Sequence, residues 1–227
     1  MRPQRIVEGV YLIGGPDLTD ERDCLVYLVD LGELVLIDSG AGESLSRLIG
    51  NTEALGLDPV RISTVVLTHC HIDHIGGAPR FREAFGSKIV IHRLDAPPVE
   101  EGDPRRTASS WYGLDFPPTP VDVMMEGEMW KLDFPRGSLT CLHTPGHTPG
   151  SMVAYLDTTE GRVLFAQDIH GPFMAEFGSD LAAWKESMAA LLSLGADILC
   201  EGHYGIFRPR ERAAAFIHEF LKTYGFS

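Results

Sequence analysis

The chain reads as an α/β protein in which two β-sheets pack together with helices outside, and three observations predict this. Short apolar runs rich in β-branched residues recur along its 227 residues, each of strand length. These runs come in groups of two or more between single helical segments, unlike the strict strand–helix alternation of a parallel sheet. Two longer segments, 180–194 and 209–224, carry apolar residues at helical spacing. With no internal repeat and an ordinary 44% hydrophobic content, one domain over 1–227 is the expectation.

Strands are expected at Ile6–Ile13, Cys24–Val29, Leu34–Ile37, Thr64–Leu67 and Lys88–Ile91. A second set is expected at Met129–Phe134, Ser138–Leu142, Met152–Leu156, Arg162–Phe165 and Ala196–Leu199. In 180–194, Asp180 is placed to cap a helix whose stripe is Leu181, Trp184, Met188, Leu191 and Leu192. In 209–224, Pro209 suits the first turn and Ala213, Phe216, Ile217, Phe220, Leu221 and Tyr224 face one way. Weaker helical patterns cover 43–55 and 74–85. The segment 93–128 holds six prolines with Trp111, Tyr112 and Phe116 among them, and reads as a lid or substrate-loop insertion.

Charge and cysteine usage narrow the function. The formal charge is 19 − 32 = −13, which disfavours a sequence-independent grip on nucleic acid. The four cysteines are far apart and form no C-x-x-C pair; buried free thiols in a reduced, cytoplasmic protein are the simplest expectation. The N-terminal apolar run is too short for a signal peptide and no run reaches membrane-spanning length. The expected partner is a small-molecule substrate, with a homodimer as one possible assembly.

The chemistry concentrates in "THCHIDHIGG" (68–77), which holds three of the nine histidines. If the preceding run is a strand, His69 and His71 at i and i+2 point the same way past its end, while Cys70 points away. Asp73 and His74 follow where a helix would begin, and Gly76 and Gly77 allow a tight fold. Imidazole and carboxylate donors clustered in this way suit a divalent ion. Three further strand ends supply matching donors: His147 in "HTPGHTPGS", Asp168 in "LFAQDIHG" and His203 in "ILCEGHYG".

This pattern, H-x-H-x-D-H followed by His, Asp and His, resembles the metallo-β-lactamase superfamily. "LIDSGAG" (36–42) and "TPGHTPGS" (144–151) resemble motifs of the same family. The resemblance spans about residues 6–208. It implies a four-layer αββα sandwich of two mixed sheets flanked by helices, with a dinuclear site at one edge. By position it implies that His69, His71 and His147 hold one ion, that Asp73, His74 and His203 hold the other, and that Asp168 bridges them. The ions would be zinc by preference, with iron or manganese as alternatives. Asp38 matches an aspartate that orients a ligating histidine, and His170 stands close enough to Asp168 to act behind the ligands or on substrate.

The resemblance further implies hydrolysis: hydroxide generated between the ions, the water's pKa being lowered from ~15.7 towards ~7, attacks a small thiolester, ester or lactone, with Asp73 accepting or relaying a proton. The core is similar to that of hydroxyacylglutathione (glyoxalase II-type) hydrolases. Those enzymes add a basic helical extension for glutathione, where this sequence offers only Arg208, Arg210, Arg212 and Lys222. Quorum-quenching lactonases place a tyrosine three residues beyond the bridging aspartate, where this chain has Gly171. Persulfide dioxygenases, which use one iron on two histidines and an aspartate, are the alternative. Trp111, Tyr112, Phe116 and the segment "HGPFMAEF" (170–177), with Phe173 in it, are the expected wall of the substrate pocket.

Overall fold

A computed structural model of the chain describes residues 2–226; Met1 and Ser227, the two ends of the expected domain, lie outside the described residues. Seven strands form the first sheet in chain order: β1 (Gln4–Val7), β2 (Val10–Gly14), β3 (Val26–Asp30), β4 (Leu34–Ile37), β5 (Ile62–Val66), β6 (Lys88–His92) and β7 (Val123–Met125). β1 to β4 are antiparallel neighbours and β4 to β7 are parallel. The second sheet holds β8 (Met129–Phe134), β9 (Gly137–His143), β10 (Met152–Thr158), β11 (Gly161–Phe165), β12 (Ile198–Cys200) and β13 (Ile206–Phe207). Its order is β13-β12-β11-β10-β9-β8, with β11 and β12 as the parallel pair.

The helices are α1 (Leu45–Ala54), α2 (Ile72–Ile75), α3 (Ala78–Phe85), α4 (Ala96–Glu101), α5 (Ser109–Tyr112), α6 (Leu181–Leu194) and α7 (Arg210–Thr223). Alternation along the strands sorts the apolar residues into three cores. Between the sheets lie Val29, Val35, Ile37, Val66 and Val90 against Cys141, Met152, Val163, Phe165 and Cys200. Outside the first sheet, Leu28, Leu36, Val65 and Ile89 meet Leu48 of α1 and Phe81 of α3. Outside the second, Val153, Leu164 and Leu199 meet Trp184, Met188 and Leu191 of α6 and Phe216 and Ile217 of α7. This is the expected four-layer αββα sandwich.

Several elements depart from the expectation for local reasons. The single strand expected at Ile6–Ile13 is a hairpin, because Gly9 adopts φ +76° and reverses the chain. The helix expected at 74–85 is split into α2 and α3 around Gly76 and Gly77. A Cβ at Gly76 would come 2.3 Å from the Ala41 carbonyl group, so the chain crosses there too closely for any side chain. Pro209 sits just before α7 as its cap rather than in its first turn. β7 and β13 were not anticipated, being too short to show alternation. The segment 93–128 is partly regular: it supplies α4, α5 and β7, and buries Val99 and Phe116 beneath the first sheet. No described helix is long and apolar enough to cross a membrane.

Candidate metal centre

One edge of the sandwich collects the ends of β4, β5, β11 and β12 and the turn between β9 and β10. β5 ends at Val66, and Thr68 to His71 lead directly into α2, which carries Asp73 and His74 in a single turn. Two buried carboxylates hold this stretch. Asp38, at φ +60° just past β4, accepts the Thr68 N–H at 2.8 Å and the Thr68 hydroxyl. Asp95 accepts the Cys70 N–H at 3.1 Å, the Thr148 hydroxyl at 2.6 Å and the Gly150 N–H at 2.8 Å. Asp95 thereby ties the first histidine loop to the "TPGHTPGS" turn, which is why both loops stand in register at the same edge.

The donors form two sets around one carboxylate. In the first, His71 Nδ1 lies 2.9 Å from His147 Nε2, and the His69 ring stands edge-on to both at 4.7 and 4.8 Å between centroids. In the second, His203 Nε2 lies 3.3 Å from His74 Nε2 and 3.3 Å from Asp73 Oδ2. Asp168 sits between them. Its Oδ1 is 3.1 Å from His74 Nε2 and 3.3 Å from His203 Nε2, while its Oδ2 is 3.7 Å from His147 Nε2 and 4.0 Å from His69 Nε2. Within each set the ligand atoms lie within 4.8 Å of one another.

The donor set fits a divalent ion. His69 Nε2 and Asp168 Oδ1 are buried without a hydrogen-bond partner, a costly arrangement unless a cation faces them. The other edges of two rings are already committed. His74 Nδ1–H donates to Asp38 Oδ2 at 2.8 Å, and His147 Nδ1–H donates to the Pro172 carbonyl at 2.8 Å, so each presents Nε2 inward.

Burial, reinforced by neighbouring imidazoles, holds His69 and His71 well below the usual histidine range, so both keep a free lone pair. Burial also lowers His147. At His203 burial is outweighed by the Asp168 carboxylate, aided by Asp73, and the ring is pushed up to about 10. Burial alone would raise Asp73 and Asp168, yet the imidazoles of His74 and His203 hold both carboxyls down. The second set is therefore the more strongly charged of the two.

A cavity of about 170 Å³ opens on the donors, with Ala108, Trp111, Tyr112, Pro172 and Phe177 as its non-ligand wall together with His170. Phe177 packs on His71 at 4.3 Å and on Trp111 at 5.0 Å. Burial, and after it the Asp73 charge, raises the Tyr112 hydroxyl, so it stays protonated at neutral pH. Of the expected pocket residues, Trp111 and Tyr112 are on this wall, but Phe116 and Phe173 are not. Phe116 lies in the core under the first sheet. Phe173 is wedged behind His147 against Trp184 at 5.1 Å and Tyr224 at 4.8 Å, because the chain turns at Pro172 and sends the next side chain toward α6 and α7.

Phe177, like His170 and Pro172, falls in the expected wall segment 170–177, whereas the sequence did not single out Asp95 or Glu201. Glu201 is fully buried. One oxygen accepts the His203 and Tyr204 N–H groups at 2.7 and 2.8 Å, and the other meets His170 Nδ1 at 2.6 Å. An acidic residue between an apolar strand and a candidate ligand, as in "LCEGH", was the available signal. A larger hollow of about 930 Å³ between Gly42, α3 and Leu114 contains none of the donors.

The model of the metallo-beta-lactamase superfamily matches residues 19–203. The chain belongs to this superfamily. Its members among curated proteins include a probable metallo-hydrolase, YflN, of Bacillus subtilis, 28% identical over 215 residues covering 78% of this chain and 79% of that one. A hydroxyacylglutathione hydrolase, GloC, of Haemophilus influenzae is 30% identical over 66% of each chain. An atrochrysone carboxyl ACP thioesterase of Aspergillus fumigatus is 29% identical over 88% of this chain but 56% of its own length. Among solved structures, the metallo-beta-lactamase GOB-18 from Elizabethkingia meningoseptica superposes with a TM-score of 0.80 at 23% identity, covering 99% of this chain and 91% of that chain. At that identity the superfamily structures establish the fold. Superfamily membership and the histidine–aspartate cluster make the protein a metal-dependent hydrolase whose cluster suits divalent ions.

Proposed function

We infer that the protein hydrolyses a small thiolester, ester or lactone with two divalent ions, zinc by preference. His69, His71 and His147 would hold one ion, Asp73, His74 and His203 the other, and Asp168 both. The observation that carries this reading is the Asp168 carboxylate, one oxygen turned to each donor set. Bound there, two ions would lower the pKa of a shared water and polarise a substrate carbonyl. The chain's own residues supply the rest. Asp73 lies on the cavity wall among the donors and takes up the proton at its carboxylate. Tyr112 offers a neutral O–H donor, and Trp111 and Phe177 exclude water from the bound acyl group.

The cavity supports a short acyl group, since about 170 Å³ is below the range of ~300–1,000 Å³ usual for drug-sized ligands. Two relatives bear names that specify thiolester hydrolysis, GloC and the ACP thioesterase, which favours thiolesters within this class. The test is ion content of protein purified anaerobically, followed by a thiolester, ester and lactone panel. About two ions per chain with turnover on short thiolesters is the expected result. A single tightly held iron, with oxygen uptake on a persulfide, would replace this reading with a dioxygenase.

A further inference from the structure

β8 closes one edge of the second sheet, and among the described residues no strand pairs with its outer side. Its register against β9 places Trp130 opposite Cys141 and Leu132 opposite Leu139. The Glu128 carbonyl accepts the His143 N–H at 2.8 Å, so the even-numbered residues of β8 bond to β9. The N–H and C=O groups of Met129, Lys131 and Asp133 therefore point outward from the sheet. An open edge of this kind is a template for another strand. This one also exposes unusual apolar surface, with Met129 64% and Trp130 38% exposed.

We propose that β8 pairs antiparallel with β8 of a second copy of this chain, about a two-fold axis through Leu132. In that register Lys131 of one copy bonds to Asp133 of the other through both backbone groups, and the same pair recurs across the axis. The side chains are complementary on both faces. Two Lys131–Asp133 pairs lie opposite each other outside, and Leu132 meets Leu132 inside, flanked by two Trp130–Phe134 pairs. Leu132 and Phe134 already pack against the core between the sheets, so the pairing extends that core across the axis. Shifting by two residues either way places Lys131 opposite Lys131 or Asp133 opposite Asp133, which like-charge repulsion disfavours. A lone edge lysine blunts an edge, whereas a lysine and an aspartate two residues apart select one partner and one register.

The inference is independent of the hydrolase reading, because β8 carries none of the donors. Its test is sedimentation equilibrium of the full chain in about 0.15 M salt, where screening shortens the reach of the net charge. The wild type is expected at twice the chain mass at high concentration, dissociating on dilution. Lys131→Glu and Asp133→Lys should each be monomeric, since each sets like charges opposite one another; an equimolar mixture of the two should recover a heterodimer. The doubly swapped chain should again dimerise alone. Within one chain Lys131 and Asp133 already pair at 3.4 Å, but both are exposed, 62% and 76%. Such a pair contributes little, so nearly unchanged melting temperatures are expected as a control on folding. A wild type that stays monomeric overturns the proposal, as do variants that dimerise like wild type, or single variants that fail to associate on mixing.

Discussion

Asp38→Asn isolates the tautomer of one ligand from the fold around it. Asp38 Oδ2 receives the His74 Nδ1 proton at 2.8 Å, and Oδ1 receives the Thr68 N–H at 2.8 Å. Alanine would strand three buried donors at about 1–3 kcal/mol each, at a position whose backbone is already left-handed at φ +60°. That loss, at least about 3 kcal/mol, is a large fraction of the total stability of many domains. Asparagine tolerates a left-handed backbone and keeps the oxygen on Thr68, but presents an N–H to His74 Nδ1. The imidazole must then carry its proton on Nε2, the atom 3.1 Å from Asp168 Oδ1 and 3.3 Å from His203 Nε2, where no cation can use it. Loss of such an orienting partner weakens ion binding by about 10–100-fold, or about 1.4–2.7 kcal/mol. Competitive chelator titration with elemental analysis should find one ion weakened by that factor and the other nearly unchanged. The melting temperature of metal-free protein should move by only a few degrees. Two ions bound at wild-type affinity would refute the assignment of His74 and its orientation by Asp38.

Other perturbations test separate parts of the site. In Gly202→Ala a Cβ would stand 2.6 Å from Asp168 Oδ1; ion content and turnover should fall together while secondary structure by circular dichroism persists, and full occupancy would count against Asp168 as the bridge. Trp111→Ala should raise KM about tenfold, or about 1.4 kcal/mol, with little change in kcat, whereas Phe116→Ala should leave KM alone and cost about 3–5 kcal/mol of stability. His92, stacked on His143 at 3.9 Å, is lowered to about 4 by burial and then by His143. The unfolded ring binds its proton near 6.5, so its contribution is complete above that pH and declines as pH falls toward 4. Urea unfolding should register about 2 kcal/mol of this between pH 7 and 5, and His92→Phe should remove that part of the slope.

The layered fold and the donor residues were legible because their signals are local. Continuous apolar runs such as Leu34–Ile37 specify strands that two covered faces will bury, and the long stripe of α6, capped at Asp180 as expected, specifies an outer helix. Local sequence was also enough to gather His69, His71, Asp73 and His74, since four residues within six positions past one strand end share a neighbourhood by chain connectivity alone.

What pairing and packing decide was not legible. The strand expected at Ile6–Ile13 looked continuous because its apolar residues run on, and only the backbone at Gly9 reverses it. Phe116 and Phe177 are both aromatic residues in irregular segments, yet one fills the core beneath the first sheet and the other packs on His71. No local pattern separates them. Asp95 and Glu201 gain their roles from groups 53 and 31 residues away, Thr148 and His170. The sequence by itself determined which residues offer donor atoms at strand ends and which faces must be buried, because side-chain type and periodicity are properties of short stretches. Only the tertiary structure decided that Asp168 turns one oxygen to each donor set, and which aromatic rings enclose them, because those relations exist only after distant strand ends are brought to one edge.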